Sequence, residues 1–225
     1  MPKIKVAIDG PAGAGKSTVA KLVASELGYT YIDSGAMYRS VAYIASSQGV
    51  DISNVNALEQ IASQIDITFN TKTSGAQTVI VNGEDVTEAI RTPEISALVS
   101  PVSAVSGVRL YMTAQQQAMG TRGGVVMEGR DIGTVVFPDA EAKIYLMATD
   151  EERARRRFSE LTHKGIITTF EEVLASQRER DLRDSSRSVA PLKAAEDSIR
   201  LITDGMSIDE VVSKICQICR ENGAD

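Results

Sequence analysis

The chain has 225 residues, 43% of them hydrophobic and 24% charged, ordinary globular values that exclude disorder throughout and allow one or two domains. Its 24 Lys and Arg against 30 Asp and Glu leave a net charge of −6, a poor balance for gripping a nucleic-acid backbone or an anionic membrane. No apolar run approaches the ~20 residues of a membrane-spanning helix, and the short apolar stretch ending at Asp9 is too brief for a signal peptide, so a cytoplasmic location is expected.

In chain order, residues 3–9 (KIKVAID) form a short β-branched strand that stops at a Gly-rich turn. Residues 17–27 carry Val19, Ala20, Leu22, Val23, Ala24 and Leu27 at helical spacing, and Gly28 stops the helix. A second strand at 29–33 and a helix over about 36–47 complete a strand–helix–strand–helix order, which predicts a parallel α/β sheet. The pattern then changes. Residues 65–70 and 78–81 alternate apolar and polar side chains around a polar loop, and Asn82-Gly83 signals a tight turn, so a small antiparallel insert is expected. Helices over roughly 94–105 and 108–119 follow. Buried strands at 125–127, 142–148 and 198–203 bring the core to five. Between the last two, residues 150–188 are helical and hold eight of the fifteen arginines, an anion-handling surface or a solvated face.

Residues 10–17 (GPAGAGKS) match GxxxxGK(S/T) in full, straight after a strand and at the start of a helix. Glycines let successive backbone N–H groups converge on phosphate oxygens, and the helix N-terminus adds partial positive charge. Gly10, Pro11, Ala12, Gly13, Ala14, Gly15, Lys16, Ser17 and Thr18 are therefore the expected ATP-binding loop. Lys16 reaches the β- and γ-phosphates, and the Ser17 hydroxyl binds Mg²⁺. Neither an NKxD guanine-reading motif nor a DxxG switch is present. Asp150-Glu151 imitates the acidic pair of a motor ATPase, but with Thr149 it reads as a helix cap and first-turn acids.

Cys216 and Cys219 are the two cysteines and His163 the one histidine. These fall short of four zinc ligands, and the cysteines lie on the apolar face of an amphipathic helix, which places the thiols in or beside the core. A single histidine also argues against a Ser-His-Asp or Cys-His enzyme. Small size, an inserted element and a lid-like arginine segment favour a small-molecule kinase.

The chain resembles the nucleoside monophosphate kinases, and within them the cytidylate kinases, from end to end. The matching segments are GPAGAGKST, DSGAMYR (33–39), VNGEDVTEAIRTPEIS (81–96), EGRDIGTVVFPDA (128–140) and ERDLRDSSRSVAPL (179–192). Glu128 stands where Asp is expected. The resemblance implies a five-stranded core (1–60, 93–149 and 189–225), a monophosphate-binding insert (61–92) and a lid (150–188). It implies phosphoryl transfer from ATP to CMP, with dCMP as a second acceptor; a monomer is expected, and the acidic charge balance argues against nucleic-acid or membrane partners.

An acceptor phosphate is already anionic, so no general base is required; alignment and charge neutralisation are the work to be done. Arg39, Arg130 and Arg187 lie in matching motifs and are candidates for the CMP phosphate, with exposed salt bridges as the alternative for each. Asp131 can accept from the cytosine amine, or it can cap its own turn. Arg109 and Ser100 join it through the resemblance; by sequence alone they are equally helix-surface positions. Arg180 and Asp184 share a helix face. They pair with each other or, as the resemblance implies, meet the sugar. Ser34 ends the second strand, where α/β ligands bind. Arg153 and Arg157, four apart, are expected to clamp the triphosphate. A hydroxyl acceptor, served by Asp33 as base, and a non-kinase NTPase switch are the alternative readings.

Overall fold

The computed structural model describes residues 3–71 and 77–224. The polar loop expected between the two insert strands lies outside the described residues for most of its length. Two compact units are present. One takes the chain up to Ile32 and again from Met119; the other is Asp33–Ala118.

The first unit holds strands β1 (Lys5–Asp9), β2 (Thr30–Asp33), β6 (Val125–Gly129), β7 (Ala142–Met147) and β8 (Ile199–Ile202), in the sheet order β2-β6-β1-β7-β8. β1 pairs in parallel with β6 on one side and β7 on the other, and β7 with β8. A parallel sheet is covered on both faces, so its inner strands are almost uniformly apolar; Val6, Ala7, Ile8, Val125, Val126, Met127, Ile144 and Leu146 are all buried. Helix α1 (Lys16–Leu27) packs Val19, Val23 and Leu27 onto the sheet, and Gly28 in the left-handed conformation ends it. Helix α8 (Ile208–Glu221) starts at a Ser207–Glu210 capping box and buries Val211, Ile215, Cys216, Ile218 and Cys219. Both thiols are free and in the core; burial pushes Cys219 up to about 12 and raises Cys216. The connection from β1 leads towards β2 and that from β7 towards β8. The sheet order thus reverses beside β1, and the loop after β1 sits at the switch point where α/β sheets bind ligands.

Two further helices complete this unit. Helix α6 (Asp150–His163) has Thr149 as its cap and Asp150, Glu151 and Glu152 in its first turn, as expected of that acidic cluster. Helix α7 (Phe170–Ser186) opens on a Thr169–Glu172 capping box.

The second unit contains helices α2 (Ser34–Ser47) and α3 (Val55–Gln64), an antiparallel sheet β3 (Ile67–Thr71), β4 (Gln77–Val81) and β5 (Glu84–Asp85), then α4 (Pro93–Ala104) and α5 (Ser106–Met119). The Asn82-Gly83 turn does reverse the chain, with both residues at positive φ, and it creates a third strand that the sequence pattern did not signal. α3 was also unsignalled. Pro101 lacks the N–H that would bond back along α4; the helix stops three residues later, and α5 leaves at 97°. Among the described residues no single helix is long and apolar enough to cross a membrane.

Candidate active site

β1 carries its chain into the loop of residues 10–15. Gly10 has φ of 149°, and a side chain there would collide with the backbone carbonyl of Leu146 on β7. Gly15, at φ 87°, turns the loop into α1. Lys16 is buried, and its ammonium donates to the carbonyl of Pro11 at 2.7 Å. Burial, then the Arg130 charge, lowers the lysine to about 7 despite the opposing carboxylates of Glu128 and Asp9; Arg180 also lowers it. Three segments far apart in sequence thus meet around this one ammonium. Ser17 stands exposed in the first turn of α1.

β6 ends in Gly129, and Arg130 and Asp131 follow at its carboxyl end. Arg130 Nε donates to Asp184 Oδ2 at 2.9 Å, and Arg187 Nε donates to the Asp184 carbonyl at 3.2 Å. Arg180 and Asp184 do lie on one helix, but the carboxylate that pairs with Arg130 is Asp184. Asp131 is buried, and its side chain does not cap the turn that follows. That work belongs to Asp9, whose two oxygens accept the N–H groups of Ile132 and Gly133 at 2.9 and 2.7 Å. Burial pushes the Asp9 carboxyl up to about 6, against the pull of those N–H groups and of Lys16. Glu128, where Asp was expected, is buried and accepts from the Tyr31 hydroxyl at 2.6 Å.

In α6 and α7 the arginines are largely neutralised by carboxylates. Arg155 and Arg156 pair with Glu152, Arg157 with Glu160, Arg178 with Asp150 and Glu151, and Arg183 with Glu179. Arg153 and Arg157 do not act as twins. Arg157 is half-buried, whereas Arg153 is 4% exposed and reaches the phosphate loop, donating to Ala12 O at 2.6 Å and to Asp181 at 2.5 Å.

In the second unit, Asp33 caps α2 by accepting from the Ala36 N–H at 2.9 Å and pairs with Arg39 at 2.7 Å. Burial pushes this carboxyl up, but Arg39, Arg91 and the Ala36 N–H together outweigh it and hold it below the usual carboxylate range. Ser34 is buried at the start of α2. Arg109 is not a surface residue: it is 3% exposed, its guanidinium lies 5.3 Å from the centre of the Tyr38 ring, and Nη1 donates to Ser103 O. Ser100 is half-buried one turn before. Asp9 and Asp181 are the participants that sequence reasoning missed. For Asp9 a signal existed, a charged residue at the end of an otherwise apolar strand.

A phosphate loop at the switch point of a parallel sheet, its lysine buried and within the field of arginines from later segments, defines a P-loop kinase core. The fold agrees with solved structures of low identity: TT1252 from Thermus thermophilus (TM-score 0.52, 17% identical, all of both chains covered) and a shikimate kinase from Acinetobacter baumannii (TM-score 0.50, 16% identical, 99% and 96% covered). The chain belongs to the cytidylate kinase family, whose model matches residues 6–221. It is 50% identical to a cytidylate kinase of Bacillus licheniformis over 96% of both chains. It is 51% identical to a bifunctional pantoate ligase/cytidylate kinase of Prochlorococcus marinus, covering 96% of this chain and 43% of that protein. The chain thus spans about two fifths of the length of such bifunctional relatives.

Proposed function

We propose that this protein transfers the γ-phosphoryl group of ATP to CMP, and to dCMP as a second acceptor, giving ADP and the nucleoside diphosphate. The observation that carries this reading is the phosphate loop, with its buried Lys16, at the switch point of the sheet in a chain of the cytidylate kinase family. Lys16 would neutralise the transferring phosphate, with Arg130, Arg187, Arg153 and Arg157 as further cations for the phosphates. Arg39 is the second unit's candidate for the CMP phosphate; Ser34, Arg180 and Asp184 would hold the rest of the nucleotide. Asp131 would accept from the cytosine amine, with Ser100 and Arg109 as donors. The insert (61–92) would serve the monophosphate and 150–188 the closing of the site.

The donor set suits Mg²⁺ carried by ATP. Ser17 presents a hard oxygen at the loop's end, and among the described residues no three His, Cys, Asp or Glu side chains form a cage of their own. When bound, the metal neutralises β- and γ-oxygens. A hydroxyl acceptor is disfavoured by the state of Asp33: a carboxylate held ionised by two arginines and an N–H is a weak base. We place the protein in the cytoplasm, as a monomer without nucleic-acid or membrane partners. One coupled ADP-release assay with CMP, dCMP, UMP, AMP and shikimate tests the reading. CMP should give the highest kcat/KM; turnover without any acceptor, or a preference for shikimate, would overturn it.

A further inference from the structure

Helix α7 lays a polar stripe on the rest of its unit. Gln177, Asp181 and Asp184 recur at four and three residues, one face of a helix, and each grips a different segment. Gln177 Nε2 donates to Arg153 O of α6 at 3.4 Å, and Asp184 takes Arg130. Asp181 grips the phosphate loop itself. Its Oδ1 accepts from the Ala12 N–H at 3.0 Å, and its Oδ2 accepts from Arg153 Nη1, which also donates to Ala12 O. Both the amide and the carbonyl of Ala12 are therefore held by side chains of α6 and α7. Arg153 is committed elsewhere as well, through Nε to Ala148 O at 3.2 Å and Nη2 to Asp150 at 2.5 Å. A buried guanidinium of this kind depends on its carboxylates.

The loop needs such a tether. Gly10 and Gly13, at φ 149° and 74°, stand on either side of Pro11 and Ala12, so beyond the fixed φ of Pro11 intrinsic backbone preference sets little there. Phosphate binding, however, depends on where the loop's N–H groups point. We propose that Asp181 is a positioning residue: through Ala12 it holds the phosphate loop in its nucleotide-accepting shape and ties that shape to the docking of α7. The proposal rests on the ATP-binding reading of the loop, not on the identity of the acceptor.

Asp181→Asn is the direct test, because the amide can still accept from Ala12 but meets Arg153 with a donor and no charge. Calorimetric binding of a non-hydrolysable ATP analogue and, separately, of CMP should show ATP affinity about tenfold weaker, the scale of one charge-assisted hydrogen bond, with CMP affinity within about twofold. Arg153→Lys should also weaken ATP binding, whether its guanidinium acts on the phosphates directly or through Asp181 and Ala12, and the double variant separates the two. The double variant should lose little more than either single one, since both act on one contact. Arg183→Ala, on an exposed part of the same helix where it pairs with Glu179, should change neither affinity. Should Asp181→Asn fail to fold, Asp181→Glu carries the test: it keeps the charge but displaces the acceptor of the Ala12 N–H, and the same ATP-selective loss is expected. Unchanged ATP affinity in a folded variant, or equal losses for ATP and CMP that follow a lower Tm, would overturn the proposal. A wild-type protein that binds ATP yet does not turn over CMP would instead remove the cytidylate reading and leave this one standing.

Discussion

Asp9 gives a pH prediction with a definite sign. Its carboxyl is 4% exposed and lies near 6 instead of its ordinary 3.8, because burial penalises the charge more than two N–H groups and Lys16 reward it. A group whose folded value is raised binds its proton more tightly folded than unfolded. Its contribution to stability is complete below about 3.8 and is lost as the pH rises through about 6. At about 1.4 kcal/mol for each factor of ten in proton affinity, the interval from 3.8 to 6 amounts to about 3 kcal/mol. Asp9→Asn removes this dependence and leaves one of two N–H groups without an acceptor, a cost of about 1–3 kcal/mol that does not vary with pH. The stability of wild type minus that of the variant should therefore shrink by most of 3 kcal/mol between about pH 4 and pH 6.5, a window that ends below the titration of Lys16. Urea unfolding followed by circular dichroism, repeated across that window, measures the difference, in which the other carboxylates cancel. A difference constant to about 0.5 kcal/mol would refute the account of Asp9 as a buried, destabilised carboxylate.

Lys16→Ala should abolish phosphoryl transfer while circular dichroism and Tm stay near wild type, since the ammonium faces a loop carbonyl and not the apolar core; near-normal turnover would defeat the phosphate-loop mechanism. Asp131→Asn should lower CMP turnover and reduce the CMP-to-UMP preference by about 1–3 kcal/mol, because an amide can donate to the uracil O4; an unchanged preference with all acceptors slowed would assign Asp131 to phosphate geometry. Hydrogen exchange of residues 150–188 should slow when ATP and CMP are both added, and equal protection with and without them counts against a closing lid.

The parts of the fold legible in sequence were those written in local periodicity. The five core strands, the helix after the phosphate loop, the Asn82-Gly83 reversal and the burial of both cysteines all follow from patterns within a dozen residues. β5 is two residues long and has no pattern to show. α3 buries only Leu58, Ile61 and Ala62, and its cap, Asn54, sits in a polar stretch that reads equally as loop. The phosphate loop announced itself because its chemistry is contiguous. Asp9 and Asp181 did not, because their partners lie 123 and 169 residues away. The clustered arginines and the carboxylates three and four residues from them were within reach of helical spacing, but Arg153 reads as the equal partner of Arg157 in a triphosphate clamp until Asp181 and Ala12 are seen beside it.

The polar stripe of α7 also bears on how the protein responds to temperature. α8 is fastened by a row of buried apolar side chains, whereas α7 buries Val173 alone of its apolar residues, beside Gln177 and Asp184. Exposing apolar area raises the heat capacity, and exposing polar area lowers it by a little over half as much per unit area. Detaching α8 would carry the full heat-capacity signature of a core. Detaching α7 would carry a smaller one, so the logarithm of its opening constant should curve less against reciprocal temperature than that of α8, and the balance between docked and released α7 should pass through a shallower optimum with warming.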